Sequence, residues 1–152
     1  MSGRICVLFV CTGNSARSQI AEALLGLIGG PGFQAYSAGT EPHGVNPLTV
    51  RVLDEICIDW SKAQSKPVSE FLGQTFDYVV TVCDRARQTC PFIPGRHERL
   101  HWDIPDPADV EGTQAEKLAT FRRTRSQIGQ LIRGFVKVAS YEHPQAIGAR
   151  PE

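Results

Sequence analysis

The chain has no surplus of charge of either sign: 16 Lys plus Arg face 16 Asp plus Glu. Nothing in it builds the long-range field that draws in nucleic acid or an anionic membrane, so neither partner is expected. No apolar run comes near the roughly 20 residues that a membrane helix needs. The N-terminus also lacks the cationic, apolar and cleavage segments of a secretory signal in their required order. A soluble, cytoplasmic chain is therefore expected. Internal repeats and low-complexity tracts are missing too. No close cysteine pair is matched by a second Cys or His pair at finger spacing, which argues against zinc. Five cysteines, an odd number, occur without an export signal, which argues against static disulfides. Each thiol is then a buried hydrophobe or a reactive group. The 152 residues suffice for one domain with its own core.

What is present is organised around Cys11-Thr12-Gly13-Asn14-Ser15-Ala16-Arg17-Ser18. Ile5-Cys6-Val7-Leu8-Phe9-Val10 precedes it as a short continuous apolar run, the pattern of a buried strand. Gln19 to Ile28 follows with helical apolar spacing and a Gly29-Gly30-Pro31 stop. The octet is thus a strand-to-helix loop that begins with a thiol and includes a guanidinium. Gly13 permits close backbone approach and Asn14 tolerates a left-handed conformation, so successive N–H groups can face one concavity. The helix N-terminus adds positive potential, and Arg17 offers a planar fork for two oxygens. The same field favours a thiolate at Cys11, to which Ser18 can donate a hydrogen bond. A nucleophile at the floor of an anion cradle suits catalysis. Cys-x5-Arg-Ser in this setting resembles the low-molecular-weight tyrosine phosphatase superfamily, and Val-Cys-Thr-Gly-Asn-Ser-Ala-Arg-Ser is more similar to its thioredoxin-coupled arsenate reductase branch.

Phe33–Ser37, Asp77–Val82 and Arg99–Trp102 read as further strands. Asn46-Pro47 opens a helix with Val50, Leu53, Ile56 and Cys57 on its apolar stripe, which places Cys57 in the core. Cys6, within the first strand, is assigned to the core as well. His43 is a lone loop histidine, expected to be solvated. A short helix is expected over Pro67–Leu72 and a long one from Thr113 to about Ala139. Leu118, Phe121, Ile128, Leu131, Ile132, Phe135 and Val138 lie along one side of that helix, and Arg122, Arg123 and Arg125 on a solvated face. Residues 1–139 form one expected catalytic domain, with 140–152 a flexible tail. Alternating strands and helices imply an α/β fold: a four-stranded parallel doubly wound sheet, order 2-1-3-4, with helices on both faces. Ligands in such sheets bind beyond the carboxyl ends of the strands, where Cys11, Cys83 and Asp106 all fall.

Cys83 and Cys90 separate two readings of the superfamily. A phosphatase needs one nucleophilic Cys and an acid; a reductase must also dispose of two electrons, and so needs further thiols. Strands one and three should be neighbours about 4.8 Å apart, bringing Cys83 near Cys11. Arg85 and Arg87 are expected to favour thiolate character in Cys83 and Cys90. Were Cys83 to Cys90 regular helix, their α-carbons would lie roughly 10.5 Å apart. A disulfide needs about 4.4–6.8 Å, so the segment must unwind to form one. The Cys-x6-Cys spacing matches the reductase branch. Ala16 stands where the phosphatases carry a second Cys before the Arg. Ala108-Asp109 stands where they place tyrosines after Asp-Pro.

The resemblance implies more. It makes Thr12, Gly13, Asn14, Ser15, Ala16, Arg17 and Ser18 the oxyanion cradle and Asp106 the general acid, and it sets Ser37 beneath the loop, bonded to Asn14. Some relatives bind potassium through positions matching Asn14, Glu22 and Ser37 plus an acidic residue. Lys66 stands in that last place, and its ammonium is expected to pair with Glu22, making activity independent of potassium. The expected activity is reduction of arsenate by a Cys11, Cys83 and Cys90 relay, with thioredoxin as reductant, phosphate or sulfate as competing ligands, and no cofactor or metal. A monomer is expected. The alternatives are a phosphatase working through a Cys11-phosphate intermediate, and, more remotely, an oxyanion-binding or phosphoryl-carrier module without turnover.

Overall fold

The computed structural model describes residues 3–90 and 93–147. Four parallel strands, β1 (Ile5–Cys11), β2 (Phe33–Gly39), β3 (Tyr78–Thr81) and β4 (Glu98–His101), form one sheet in the order β2-β1-β3-β4. The strand order and direction are those expected. β1 pairs along both edges, and its Val7, Leu8, Phe9 and Val10 are wholly buried. A strand covered on every side has no water to satisfy polar side chains, hence its unbroken apolar sequence. Cys6 is half-buried and packs against the core.

Five helices follow the strands: α1 (Arg17–Gly29), α2 (Pro47–Asp54), α3 (Asp84–Thr89), α4 (Gln114–Glu142) and α5 (Pro144–Ile147). Pro67–Leu72, expected as a short helix, holds a 3-10 turn over Val68–Phe71. α2 starts as its sequence requires: Asn46 Oδ1 accepts from the Leu48 N–H at 2.8 Å, with Pro47 in the first turn. α4 starts with a capping box between Thr113 and Glu116. Its buried stripe runs through Leu118, Phe121, Ile128, Ile132, Phe135 and Ala139, each large apolar side chain contributing roughly 1.5–3 kcal/mol. Val138 was expected on this stripe but is 57% exposed, because Ala139 takes the inward position four residues after Phe135.

The arginines of α4 do more than face solvent. Arg122 grips the Glu55 carboxylate through Nε and Nη2, and Arg125 reaches Glu55 at 2.9 Å and the Val52 carbonyl at 2.6 Å. Together they tie α4 to the end of α2. The Arg122 hydrogen bonds, helped by Arg125, pull the Glu55 carboxyl down to about 2.

Two expectations are corrected. The chain does not lose regular structure at Ser140: α4 continues to Glu142 and α5 follows. The Tyr78 hydroxyl donates to the Glu142 carboxylate, and the His143 ring stands edge-on to Tyr78 at 5.5 Å. The rest of the expected tail, 148–152, lies outside the described residues. Cys57 is exposed rather than core. α2 stops at Asp54, and the chain leaves it by a Schellman turn: the Ile58 N–H donates to the Leu53 carbonyl and the Cys57 N–H to that of Asp54, both at 3.0 Å. Cys57 occupies the left-handed position of that turn, with φ +67°. Helical spacing continued past the point where the helix had ended. Among the described residues no helix is long and apolar enough to cross a membrane.

A left-handed β-carbon costs about 1–2 kcal/mol, partly offset by the greater chain entropy that glycine loses on folding. Cys57→Gly is therefore expected to raise stability by about 0.5–1 kcal/mol in urea unfolding, whereas destabilisation would contradict this reading of the turn.

Candidate active site

Parallel pairing of β1 with β3 ends both strands at one rim, with Val10 opposite Thr81. The chain turns after Cys11 into a loop that crosses the end of β2. A β-carbon on Gly39 would lie 2.5 Å from the Thr12 carbonyl oxygen and 2.9 Å from the Asn14 nitrogen, so only glycine lets the loop pass there. Ala16 precedes α1 and supplies no side-chain cap. The first-turn N–H groups are thus left to a ligand.

Asn14 holds the loop's shape. Its φ is +49°, the left-handed conformation expected of it. Nδ2 donates to Ser18 Oγ at 2.8 Å and Ser37 Oγ at 3.0 Å. Oδ1 accepts from Gln19 Nε2 at 3.0 Å and from the Lys66 N–H at 2.9 Å. Its own carbonyl accepts from Gln19 and from Ser65 Oγ. Every polar group of this buried side chain is satisfied, and the strained backbone is fixed by three separate segments. Gln19 is itself held by Trp60 Nε1 and the Gln64 carbonyl.

Cys11 is buried at the loop's base. Ser18 Oγ stands 2.8 Å from its Sγ, and the Asn14 N–H donates to that sulfur at 3.3 Å. Because Asn14 already donates to Ser18 Oγ, the serine's own proton is free to point at the sulfur. That geometry suits an anionic nucleophile. Arg17 is anchored by Nη1 to the Ile104 carbonyl at 3.0 Å, and its Nη2 lies 3.5 Å from Asp106 Oδ2. Asp106 Oδ1 accepts from the Ala108 N–H, capping the 3-10 turn Pro107–Asp109 rather than the long helix, while the carboxylate remains 32% exposed. Cys11, Thr12, Arg17, Cys83 and Asp106 all line one cavity of about 480 Å³.

Cys83 is therefore on the same side of the sheet as Cys11. Its Sγ is 3.4 Å from Thr12 Oγ1, and it accepts from the Ala86 N–H at the start of α3. α3 occupies the whole interval between Cys83 and Cys90, with only Ala86 buried. Cys90 caps the far end, its N–H bonded to the Ala86 carbonyl at 2.8 Å. The helical separation and the need to unwind thus apply to the structure itself. Arg85 and Arg87 meet carboxylates. Arg85 pairs with Glu41 at 3.0 Å and Arg87 with Asp84 at 3.6 Å. Burial pushes the Cys90 thiol up, and Arg99 is the cation that opposes it.

Ser37 donates to Glu22 Oε1 at 2.6 Å. The expected Lys66–Glu22 pair is not formed: the ammonium donates to the Gln64 carbonyl at 2.9 Å, and only the backbone of Lys66 supports the loop. The donors do not fit a potassium ion. Asn14 Oδ1 already accepts two hydrogen bonds, Glu22 is the sole carboxylate of the set, and the Lys66 charge acts on it.

Several residues carry weight that their spacing did not signal. Gln19 and Trp60 brace Asn14, while Ser15 is held from the start of α2 by the Asn46 N–H and Thr49 Oγ1. His43, exposed as expected, lays its ring over Gly13, where a β-carbon would meet Nε2 at 2.1 Å. Apart from Gln19 on Asn14, each contact joins residues distant in sequence, and no local pattern announces it.

Residues 6–145 match the low molecular weight phosphotyrosine protein phosphatase family. The chain is 47% identical over 131 residues to an arsenate reductase of Halalkalibacterium halodurans, covering 86% of this chain and 94% of that one. A crystal structure of an arsenate reductase from Archaeoglobus fulgidus aligns with TM-score 0.69 and 31% identity over 86% of this chain and 98% of the other. A thioredoxin-dependent arsenate reductase of Corynebacterium glutamicum aligns with TM-score 0.66 and 30% identity, over 90% of this chain and 63% of the other.

Burial raises the Glu22 carboxyl above its ordinary 4.5, against the opposing Ser37 hydrogen bond and Lys66 charge. The folded chain then binds this proton more tightly than the unfolded one. The stabilisation is full below the ordinary value and is lost as pH rises through the raised one. Glu22→Gln should remove that loss, gaining stability relative to wild type as pH climbs from 4.5 towards neutral in urea unfolding; a difference that stays flat with pH would contradict the assignment.

Proposed function

The chain belongs to the low molecular weight phosphotyrosine protein phosphatase family, and within it we propose an arsenate reductase that draws its electrons from thioredoxin. The observation that carries this reading is the shared cavity of Cys11 and Cys83. Hydrolysis through a Cys11-phosphate intermediate needs no thiol at the end of β3.

Arsenate is tetrahedral and anionic, matching loop amides, the α1 N-terminus and the Arg17 fork. Cys11 attacks arsenic, forming an S–As bond as one As–O bond breaks. Asp106, beside Arg17, delivers the proton with which that oxygen leaves as water. Cys83 next attacks the Cys11 sulfur. The S–As bond breaks, its electron pair passes to arsenic, and arsenite departs from a Cys11–Cys83 disulfide. Cys90 then attacks Cys83, releasing the Cys11 thiolate and forming Cys83–Cys90. The thioredoxin dithiol reduces that bridge by exchange, so two electrons and two protons enter per arsenate.

The order of events follows from burial. Burial pushes the Cys90 thiol up while α3 is folded, and the helix keeps it roughly 10.5 Å from Cys83. Unwinding exposes the thiol and closes the distance in one movement. The weak core contact of α3, through Ala86 alone, makes that movement accessible.

Arsenate-dependent consumption of reducing equivalents with thioredoxin separates this reading from a phosphatase. Wild type is expected to turn over, while Cys83→Ser and Cys90→Ser each lose turnover by more than about 10²-fold. Undiminished consumption in either variant would overturn the relay. A wild type that consumes no reducing equivalents with arsenate but cleaves a phosphate ester equally well in all three forms would favour hydrolysis through a Cys11-phosphate intermediate.

A further inference from the structure

His101 ends β4 and stands opposite Thr81 in the β3–β4 ladder. Its two ring nitrogens point to either side of the relay thiol. Nδ1 is 2.8 Å from Thr81 Oγ1, and Nε2 is 3.1 Å from Asp84 Oδ1. Thr81 lies two residues before Cys83 and is buried in the sheet; Asp84 follows Cys83 directly and is the first residue of α3. The imidazole therefore joins a fixed point, the strand, to a movable one, the helix. Its side chain is 17% exposed against 60% for Asp84, so the ring is the anchored partner. The charged groups around it are Asp84 from α3, Asp103 from the loop after β4, and Arg87, which reaches the same Asp84 oxygen at 3.6 Å.

We propose that His101 is a positioning residue which, through Asp84, latches α3 in its helical form and so sets the reduction potential of the Cys83–Cys90 pair. The inference rests on the relay described above. The latch exists where α3 is folded, with both thiols free. Bridging them requires their α-carbons to approach from roughly 10.5 Å to within about 6.8 Å, which dismantles the six-residue helix. An interaction present in the dithiol form and lost in the disulfide form favours reduction. The latch thus makes the bridge easier for a dithiol to reduce and returns the enzyme to its starting state. A partly exposed hydrogen bond to a carboxylate of this kind shifts an equilibrium by about two- to fivefold, which corresponds to about 10–20 mV for a two-electron couple.

A double-mutant cycle of His101→Phe, Asp84→Ala and the double variant tests it. The full chain is oxidised with arsenate, the Cys83–Cys90 disulfide is confirmed by peptide mass mapping, and its equilibrium is measured in glutathione redox buffers. Each single variant is expected to shift the equilibrium towards the disulfide by about two- to fivefold, and the double variant no further than either alone. Singles that leave the potential unmoved, or shifts that add independently, would overturn the latch while leaving the relay intact. A wild type that forms no Cys83–Cys90 disulfide would overturn the relay, and the latch with it.

Discussion

The parallel pairing of β1 with β3 is the constraint on which the chemistry depends. It ends two strands at one rim in register, so that a thiol just past each strand opens into the same cavity. The apolar runs that make the two strands central also bury their thiols. Fold and site thus have one cause: continuous apolar strands need cover on both faces, and their carboxyl ends remain the open side of the sheet.

On that frame the loop from Cys11 to Ser18 is held with far more hydrogen bonds than its length requires. Asn14 is buried, left-handed and satisfied at every polar atom of its side chain by partners from three separate segments. Such over-determination keeps the backbone amides converged on one point before a ligand arrives, so no binding energy is lost in ordering them. α3 is the opposite case. A single buried alanine and a few exposed polar contacts hold it, and the proposed cycle requires it to be lost and regained. In the proposed cycle the rigid cradle does the oxyanion chemistry and the weak helix moves the electrons.

The fold was legible because strand-like runs, stop signals and caps agree with one another along the chain. The octet could be read because a strand, a Gly-Asn turn and a helix start surround a Cys and an Arg at fixed spacing. Cys57 was misplaced because periodicity does not record where a helix ends: the Schellman turn comes from backbone hydrogen bonds that side-chain spacing does not reveal. The Lys66 backbone lies against the loop, but its ammonium found the Gln64 carbonyl instead of Glu22. Arg85 and Arg87 likewise found carboxylates closer than the thiols they were expected to serve. Thr12 against Cys83, Trp60 against Gln19 and His43 over Gly13 are long-range contacts, decided by packing alone.

The central claim is that the second sulfur takes over from the first before the third is engaged. The most direct measurement is arsenate treatment of the reduced Cys90→Ser chain, followed by acid quenching and mass mapping of its cysteines. The account predicts one arsenite released per chain and a trapped Cys11–Cys83 disulfide. A Cys83 that remains a free thiol after arsenite is released would contradict it.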